Sequence, residues 1–471
     1  MPMLAGFLVL AFAANSGAPS PKDIEDRLQP PVQIEGHAAV HYSLAARMAA
    51  HHVPAVSVAV IRNGKIAWAQ AWGTLEAGGK RAADANTIFQ AASISKSVAA
   101  TAAMHMVQTG ALSLDADVNT ELKSWKVPAF NFPGKVTLRE LLNHSAGMTT
   151  SGFPGYAADE RVPTLVEVLN GTPPANTEAV RVNVAPGTIW RYSGGGYTVM
   201  QQMMIDKSGA AFPDLMARTV LQPIGMTRSE YSQPLAAGLA DNAARAHRGN
   251  GVMIKGRWHT YPEMAAAGMW TTPSDLSRFL IEIWKSSRGE SNRVVNQATV
   301  KEMLTILKGE YGLGLEVMGE GAARWFGHGG SNAGFKCDMR MYADSGDGIA
   351  VMTNGDDGSA LAREIERAAA EAYGWAGLKP QVKKAAAVSI ESLRKLAGTY
   401  NAGGTLIAVA VSDSGVLTGA VGEGGKVELL PESESVFLPM TDGLPTFKFV
   451  RGADGTASAI EFPGGKATRV H

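Results

Sequence analysis

Runs of apolar residues predict β-strands near both ends of one large segment of the chain. Residues 56–61 (VSVAVI) and 66–68 (IAW) flank the pair Asn63-Gly64, which predicts a β-hairpin with its turn at that pair. A second strand signal comes late, where apolar side chains alternate with more polar ones at Phe335, Cys337, Met339 and Met341. The apolar run of residues 349–352 follows, so we expect strands at both ends of one α/β body.

Helical spacing of apolar residues fills the region between these strands. Residues 37–52 carry apolar side chains at helical spacing and predict a helix just before the hairpin. Residues 93–109 also favour helix, with Gly110 as the C-terminal cap. A middle section, about residues 115–310, mixes helical stretches with loops rich in Pro and Gly, and a helix over residues 359–373 is predicted to close the unit.

The composition of the chain changes after residue 375. Residues 376–388 predict a linker, and residues 389–471 are rich in Gly, Val, Thr and Ser with short alternating runs. Turn signals punctuate these runs at Ser414-Gly415, Asp442-Gly443 and Asp454-Gly455. We therefore expect a small antiparallel β domain at the C-terminus.

The N-terminus resembles an export signal. Residues 3–14 (MLAGFLVLAFAA) form an apolar run of signal-peptide length that is too short to span a bilayer, and residues 11–13 are an A-x-A site. The usual basic residue before the run is missing, and a buried N-terminal segment is the alternative. We expect residues 1–20 to be a signal peptide and leader, which predicts a periplasmic or secreted protein without a stable membrane span.

Composition excludes several classes of function. The 471 residues include 43 Lys and Arg against 43 Asp and Glu, so no net field favours nucleic acid. The single Cys337 excludes an internal disulfide and a multi-cysteine metal site. No H-E-x-x-H motif accompanies the pairs His37/His41 and His51/His52, which are better interpreted as surface histidines. We expect no metal and no cofactor.

Residues 93–96 (SISK) place a serine and a lysine three positions apart. Such positions share one face of a helix, so the Ser93 hydroxyl and the Lys96 amine can meet if the helix begins near Ser93. A serine needs a base to remove its proton, and a lysine serves only when burial or nearby cations lower its pKa. The alternative is an N-cap serine with a solvated lysine one turn on. Residues 392–395 (SLRK) repeat the pattern, but no partner motif follows them.

Tyr192 precedes three consecutive glycines in a short run (YSGGGY). The glycines permit a tight loop and close backbone approach, as the wall of a cleft requires. A phenol near lysine would have a depressed pKa and could relay a proton to a leaving group. The alternative is a core tyrosine beside a glycine turn.

Residues 328–331 (HGGS) precede the alternating strand that starts at Phe335. Small residues at the start of an edge strand allow a substrate to lie against the backbone, so His328, Gly329, Gly330 and Ser331 are candidate binding residues. The N–H groups of Ser93 and Ser331 could then form an oxyanion hole. A rival cluster, Lys207-Ser208-Gly209, is predicted to be the end of a helix.

The three clusters in this order resemble the β-lactamase-related serine hydrolases, a superfamily of class C β-lactamases, D,D-carboxypeptidases, D-aminopeptidases and family VIII esterases. Further segments are similar to family motifs: residues 141–148 (LLNHSAGM), 267–276 (AGMWTTPSDL), 311–314 (YGLG) and 351–354 (VMTN). The resemblance covers about residues 35–375. It implies an antiparallel sheet flanked by helices plus an all-helical region, with the active site between them. The last part of the chain, residues 389–471, resembles the lipocalin-like β-barrel of some members.

The resemblance also implies roles for individual residues. Ser93 would be the acylated nucleophile, Lys96 its partner and Tyr192 the proton relay, while His328 would stand where the third motif carries Lys or His. One position departs from the family, because its second motif is commonly Y-x-N and here the third position is Gly194. This departure weakens the case for β-lactam or peptide turnover more than the case for acyl-enzyme chemistry.

The leading hypothesis is a serine hydrolase that acts through a covalent acyl-enzyme on small carboxylic esters or amides. Its substrate would be a small ester, amide or peptide, in the manner of an esterase, a D-amino-acid peptidase or a β-lactamase. The alternative is a catalytically silent homologue that senses peptidoglycan fragments or builds an assembly. Retention of Ser93, Lys96 and Tyr192 together favours the enzyme.

Overall fold

The structure, a computed structural model, describes residues 19–422 and 425–470. The predicted signal peptide therefore lies almost wholly outside the described residues. The α-helices are α1 (Lys22–Glu25), α2 (Leu44–Ala50), α3 (Ile94–Gln108), α4 (Val118–Glu121), α5 (Leu138–Leu142), α6 (Leu165–Asn170), α7 (Gly194–Ser208), α8 (Phe212–Met216), α9 (Gln222–Ile224), α10 (Ala237–Ala240), α11 (Met264–Ala267), α12 (Pro273–Ser287), α13 (Gln297–Met303), α14 (Gly358–Tyr373) and α15 (Ile390–Arg394). A π-helical turn lies at Ala217–Leu221 and a 3-10 turn at Gly321–Ala323.

The strands form a central sheet, a barrel and two short pairs. They are β1 (Val32–Ile34), β2 (Ala55–Arg62), β3 (Lys65–Gly73), β4 (Phe89–Gln90), β5 (Trp270–Thr271), β6 (Glu316–Met318), β7 (Trp325–Asn332), β8 (Phe335–Tyr342), β9 (Gly348–Thr353), β10 (Gln381–Lys383), β11 (Gly398–Ala402), β12 (Thr405–Val411), β13 (Leu417–Val421), β14 (Val427–Pro431), β15 (Val436–Pro439), β16 (Phe447–Arg451), β17 (Ala457–Phe462) and β18 (Gly465–Arg469).

The central sheet has six antiparallel strands in the order β3-β2-β9-β8-β7-β6, so strands from both ends of the α/β body meet in one sheet. Asn63 and Gly64, with φ of 47° and 67°, both adopt the left-handed conformation that a two-residue I′ turn requires. The predicted hairpin is therefore confirmed. The predicted late strands are β8 and β9.

The two faces of this sheet bury different helices. Val58 and Val351 belong to a core cluster with residues of α14, while Ala350 and Met352 belong to a larger cluster that contains the apolar face of α12. This alternation follows from the two-residue period of a strand, which sends neighbouring side chains to opposite faces. The result is an antiparallel sheet flanked by helices, as predicted.

Helices α3 and α7 lie inside the helical region. Helix α3 ends at the cap residue Thr109 followed by Gly110, whose φ is 73°, in agreement with the sequence prediction. Helix α7 starts at the N-cap Ser193 and ends at Gly209, so Lys207-Ser208-Gly209 is a helix end as predicted. Both helices are buried along most of their length, which fixes the side chains on them relative to the sheet.

The helix predicted over residues 37–52 is shorter in the structure. Helix α2 covers only Leu44–Ala50, and the Ser43 hydroxyl accepts a hydrogen bond from the Ala46 N–H at 3.3 Å. Ser43 stops the helix from extending toward the N-terminus because an N-cap residue takes non-helical dihedral angles. Just before it, Tyr42 pairs with Leu28 in an isolated antiparallel bridge.

The C-terminal segment forms a closed eight-stranded barrel from β11 to β18, as the turn pattern predicts. Gly415, Gly443 and Gly455 have φ of 80° to 86°, in agreement with turns at these residues. The predicted linker is partly ordered, because β10 pairs in parallel with β1. Arg367 of α14 donates to Asp442 of the barrel at 3.0 Å and joins the barrel to the body.

In the part of the chain that the structure describes, no helix combines the length and the apolar character needed to cross a bilayer.

Candidate active site

Ser93 stands at the turn between β4 and α3. The preceding Ala92 has a φ of 49°, an uncommon left-handed conformation that often marks a functional position. The Ala91 N–H donates to the Met269 carbonyl at 2.8 Å and ties this turn to the loop before β5. Ser93 occupies the N-cap position, yet its hydroxyl does not cap the helix. The hydroxyl is therefore available for another partner.

That partner is the amine of Lys96. Lys96 Nζ lies 3.0 Å from Ser93 Oγ and donates to the Ala266 carbonyl at 2.7 Å. The residue is 2 % exposed, so the solvated lysine of the alternative interpretation does not occur. Burial lowers the pKa of Lys96 from its usual range to about 7, because an ammonium loses hydration inside the protein.

Tyr192 lies beside the same pair. Its ring centroid is 4.9 Å from Lys96 Nζ, and a hydrogen bond joins its phenol to the side chain of Ser93. Burial raises the pKa of Tyr192 above that of an ordinary phenol, although the bond to Ser93 lowers it. The sequence expectation of a depressed pKa is therefore wrong. Desolvation is the largest effect on this phenol, because burial disfavours the charged phenolate.

His144, from the segment of residues 141–148, supports the Tyr192 loop. Its Nδ1 accepts the Ser193 N–H at 3.1 Å, and its ring lies 4.3 Å from the Tyr192 ring, centroid to centroid. Burial holds the pKa of His144 well below its usual range, so the ring is neutral. A neutral Nδ1 acceptor fixes the start of α7 and thereby the direction of Tyr192.

The cluster from His328 to Ser331 precedes the strand from Phe335, as the sequence predicted, and it lies within a strand of its own, β7. Strand β6 pairs only with Trp325–Gly327, so beyond Gly327 the edge of β7 has no strand partner on that side among the described residues. The Ala343 N–H donates to the Arg324 carbonyl, which sets the alternation along the β7–β8 ladder. In an antiparallel pair, residues that hydrogen-bond to the partner strand alternate with residues that do not. Counting from Arg324, Ser331 is of the second kind, so its N–H points away from β8 toward the unpaired edge.

Gly330 brings β7 against the turn that carries Ser93. A Cβ at residue 330 would lie 2.3 Å from the Ala91 carbonyl oxygen and 2.4 Å from Cys337 Sγ. A Cβ at the neighbouring Gly329 would have its nearest atom, an oxygen of Asp338, at 3.6 Å. Close approach of the two backbones therefore depends on glycine at position 330 and not at position 329.

His328 is buried and uncharged. Its Nδ1 contacts the Gly329 carbonyl at 2.5 Å, which assigns the ring proton to Nδ1, and its Nε2 lies 2.9 Å from the Tyr311 hydroxyl. Burial lowers the pKa of His328 to about 4. His328 therefore brings no positive charge to the cleft at neutral pH.

Gly194 starts α7, and a phenylalanine fills the space beside it. A Cβ at residue 194 would lie 2.9 Å from Phe153 Cε2 and 3.1 Å from the Ser151 carbonyl oxygen. An asparagine side chain at this position would have to displace the Phe153 ring. Phe153 therefore occupies the space beside the residue that departs from Y-x-N.

A cavity of about 280 Å³ brings most of the predicted residues together. Its lining includes Ser93, Tyr192, His328, Gly329, Gly330 and Ser331. Sequence analysis missed the three charged residues of the lining, Glu316, Asp338 and Arg363. Each comes from a different element, β6, β8 and α14, and no local motif distinguishes them. Ala266 was also missed, because its contribution is a backbone carbonyl and carries no side-chain signal.

The histidines considered as metal ligands face separate partners. His41 lies 3.4 Å from Glu371, His51 lies 3.3 Å from Glu364, and His52 contacts a backbone carbonyl at 2.8 Å. Within residues 19–422 and 425–470, no group of three or more His, Cys, Asp or Glu side chains has the geometry of a metal site.

Comparison with known proteins agrees with this geometry. The Beta-lactamase family profile matches residues 43–374. A D-aminopeptidase from Brucella ovis (strain ATCC 25840 / 63/290 / NCTC 10512) is 23 % identical over 319 residues, which cover 64 % of this chain and 56 % of the relative. The chain thus spans little more than half the length of that relative. Penicillin-binding protein 4 from Amycolatopsis lactamdurans is 24 % identical over 322 residues, 65 % of this chain and 82 % of the relative.

A solved structure shares the fold. The octameric penicillin-binding protein homologue from Pyrococcus abyssi superimposes with a TM-score of 0.61 at 22 % identity, covering 90 % of this chain and 98 % of that chain. The fold class and the family resemblance expected from the sequence are confirmed.

We predict that Gly330→Ala destabilises the protein by about 1–3 kcal/mol, the usual cost of overpacking, because the new methyl meets a backbone carbonyl. The matched variant Gly329→Ala should change the free energy of unfolding by less than about 1 kcal/mol. Urea denaturation followed by circular dichroism measures both. Equal stability of the two variants would contradict the close approach of β7 to the Ser93 turn.

We predict that Gly194→Asn destabilises the protein by about 1–2 kcal/mol, because the Phe153 ring occupies the space that the asparagine needs. Combining Gly194→Asn with Phe153→Ala should give a variant more stable than the sum of the two single changes implies. A double-mutant cycle of unfolding free energies tests this. Additive changes would mean that Phe153 does not fill the asparagine position.

Proposed function

The chain belongs to the Beta-lactamase family, and from that premise we propose that it is a serine hydrolase that forms a covalent acyl-enzyme on Ser93. The observation that carries the proposal is the 3.0 Å contact between Ser93 Oγ and the amine of Lys96. Burial lowers the pKa of that amine to about 7, so a large fraction is neutral at physiological pH. A neutral amine within hydrogen-bond reach can act as the general base for a serine nucleophile.

In the acylation step, Ser93 Oγ bonds to the carbonyl carbon of an ester or amide as its proton passes to Lys96 Nζ. The carbonyl oxygen takes the electron pair and becomes an oxyanion. When the tetrahedral intermediate collapses, the bond to the leaving alcohol or amine breaks, and that group takes up a proton. Water then attacks the acyl-Ser93 ester, releases the acid and restores the hydroxyl.

Tyr192 is suited to deliver the proton to the leaving group. Its raised pKa keeps the phenol protonated at neutral pH, and its hydrogen bond to Ser93 places it at the reacting centre. Between the two candidates for general base, Lys96 is therefore the better one. Tyr192 acts as the proton relay from Lys96 to the departing group.

The oxyanion would be stabilised by two backbone N–H groups. Ser93 opens a helix, where N–H groups lack intrahelical acceptors, and the N–H of Ser331 points to the unpaired edge of β7. Donors aimed at the developing charge make the largest electrostatic contribution in acyl transfer. Gly330 keeps the two donors close, because only glycine allows β7 to approach the Ser93 turn.

The substrate is a small ester, amide or D-amino-acid peptide. A cavity of about 280 Å³ lies at the lower end of the range for small-molecule sites, so the acyl group is small. The D-aminopeptidase and penicillin-binding relatives favour amide or peptide substrates. Gly194 in place of the usual asparagine, with Phe153 in the space beside it, disfavours efficient turnover of β-lactams and peptides more than that of esters. A signal peptide in residues 1–20 would place this activity in the periplasm or outside the cell.

A catalytically silent binding module fits the site less well. Burying a lysine without a carboxylate partner costs free energy, and no ion pair reaches Lys96 in the part of the chain that the structure describes. Binding a ligand does not require a buried lysine of lowered pKa. A hydrolase of this kind does require the burial of the lysine, because desolvation lowers the pKa of the base.

We expect p-nitrophenyl acetate to acetylate Ser93 and then to be hydrolysed. Penicillin G is tested in the same way as a second reagent. Intact-mass spectrometry of rapidly quenched samples detects the adduct. In Ser93→Ala the adduct should be lost and kcat should fall by about 10⁴-fold or more, since the nucleophile is removed. The matched control Ser392→Ala, in the second S-x-x-K, should keep full activity. Equal reaction of wild type and Ser93→Ala would refute the proposal.

We expect kcat/KM for p-nitrophenyl acetate to fall about tenfold per pH unit below pH 7. The sign follows from the lowered pKa of Lys96, since protonated Lys96 below about pH 7 cannot accept the serine proton. A pH–rate profile from pH 5 to 9 at constant ionic strength locates the acid limb. A plateau that extends down to pH 5, or a limb near the pKa of an ordinary lysine, would exclude Lys96 as the base with this pKa.

A further inference from the structure

Glu316 shares the active-site cavity with Ser93. It is the first residue of β6, where it pairs with Gly327 just before the unpaired edge of β7. Its side chain is half-buried and lines the cavity of about 280 Å³ that also contains Ser93, Tyr192 and His328. A group that contacts Glu316 therefore lies in the same cavity as the carbonyl that Ser93 would attack.

The positive charges near Glu316 already have carboxylate partners. Arg363 lies 3.2 Å from Asp338 and 3.0 Å from Glu366, each through a different terminal nitrogen of its guanidinium. Arg340 lies 2.8 Å from Glu366 and 3.3 Å from Asp338. Each arginine therefore contacts both acids, and Arg363 has a carboxylate at each of its two terminal nitrogens. An incoming carboxylate would have to displace an existing partner of Arg363.

Glu316 itself has no such partner. Across residues 19–422 and 425–470, no hydrogen bond or ion pair of its side chain is formed, although Arg363 lowers its pKa from a distance. Burial and the charge of Asp338 raise the pKa of Glu316 to about 7. An acceptor of this kind is costly to keep half-buried unless a cation meets it.

We propose that Glu316 binds the ammonium group of the substrate, so that the enzyme selects esters or amides of amino acids with a free amine next to the reacting carbonyl. This proposal rests on the proposed hydrolase function and names its substrate class. An ammonium ion supplies the cation that the Glu316 side chain does not contact among the described residues, and it leaves the ion pairs of Arg363 in place. Glu316 is thus a specificity-determining residue and takes no part in bond breaking.

The test compares two esters of equal shape. The p-nitrophenyl esters of alanine and of isobutyric acid differ only in an ammonium in place of a methyl group, and each enantiomer of alanine is tried at pH 7.5. Wild type should prefer one alanine ester over the isobutyrate by about 10- to 100-fold in kcat/KM, the range of a hydrogen bond between charged groups. Glu316→Gln, which keeps the shape and removes the charge, should lower the ratio of kcat/KM for the alanine ester to kcat/KM for the isobutyrate by about the same 10- to 100-fold.

Glu310→Gln is the matched control. Glu310 is exposed and lies outside the cavity lining, and its charge acts on Glu316 only through space. This variant should keep the preference for the alanine ester. If Glu310→Gln loses the preference as Glu316→Gln does, the selectivity comes from the long-range electrostatic field of the acidic residues and not from a contact at Glu316. The proposal is then overturned.

The outcomes separate this proposal from the hydrolase function. Turnover of the isobutyrate with no preference for alanine, or an unchanged preference in Glu316→Gln, overturns the role of Glu316 and leaves the hydrolase intact. If neither ester is hydrolysed, the hydrolase function fails. Saturation-transfer NMR with alaninamide and isobutyramide then decides the binding claim: an alaninamide signal that disappears in Glu316→Gln supports it, and equal signals contradict it.

Discussion

The site depends on one amine that the fold removes from water. Lys96 is fully buried against the Ser93 hydroxyl and the Ala266 carbonyl, and its desolvation brings the pKa to about 7. The same amine on a solvated helix would be a permanent cation and useless as a base. The burial of α3, the position of α11 and the packing of α7 together keep Lys96 away from water.

The supporting residues connect Lys96 to both halves of the structure. The Met269 N–H donates to Ser95 Oγ at 3.0 Å, and Asn332 donates to Gln90 at 2.8 Å, so the loop before β5, the end of β7 and strand β4 converge on the start of α3. Met269, in the segment of residues 267–276, and Asn332 at the end of β7 therefore have a structural role. They hold the Ser93 turn between the sheet and the helical region, where the cavity opens.

Local chemistry explains which elements were predictable. The Asn63-Gly64 hairpin, the end of α3 at Gly110 and the glycine turns of the barrel follow from residues close together in the chain. The same is true of Ser93 and Lys96, since their spacing alone puts them on one helix face. The pKa of Tyr192 was predicted in the wrong direction, because it depends on how deeply the tertiary structure buries the ring.

The sequence by itself determined the order of the elements, the family and the residues able to carry the chemistry. Only the tertiary structure decided that Phe153 fills the space beside Gly194, that no described strand pairs with β7 beyond Gly327 on the β6 side, and that Glu316 lines the same cavity as Ser93. The physical reason is the distance along the chain over which each interaction acts. Turns, caps and helix faces depend on neighbours within a few residues, whereas desolvation and charge balance depend on atoms brought together from distant parts of the chain.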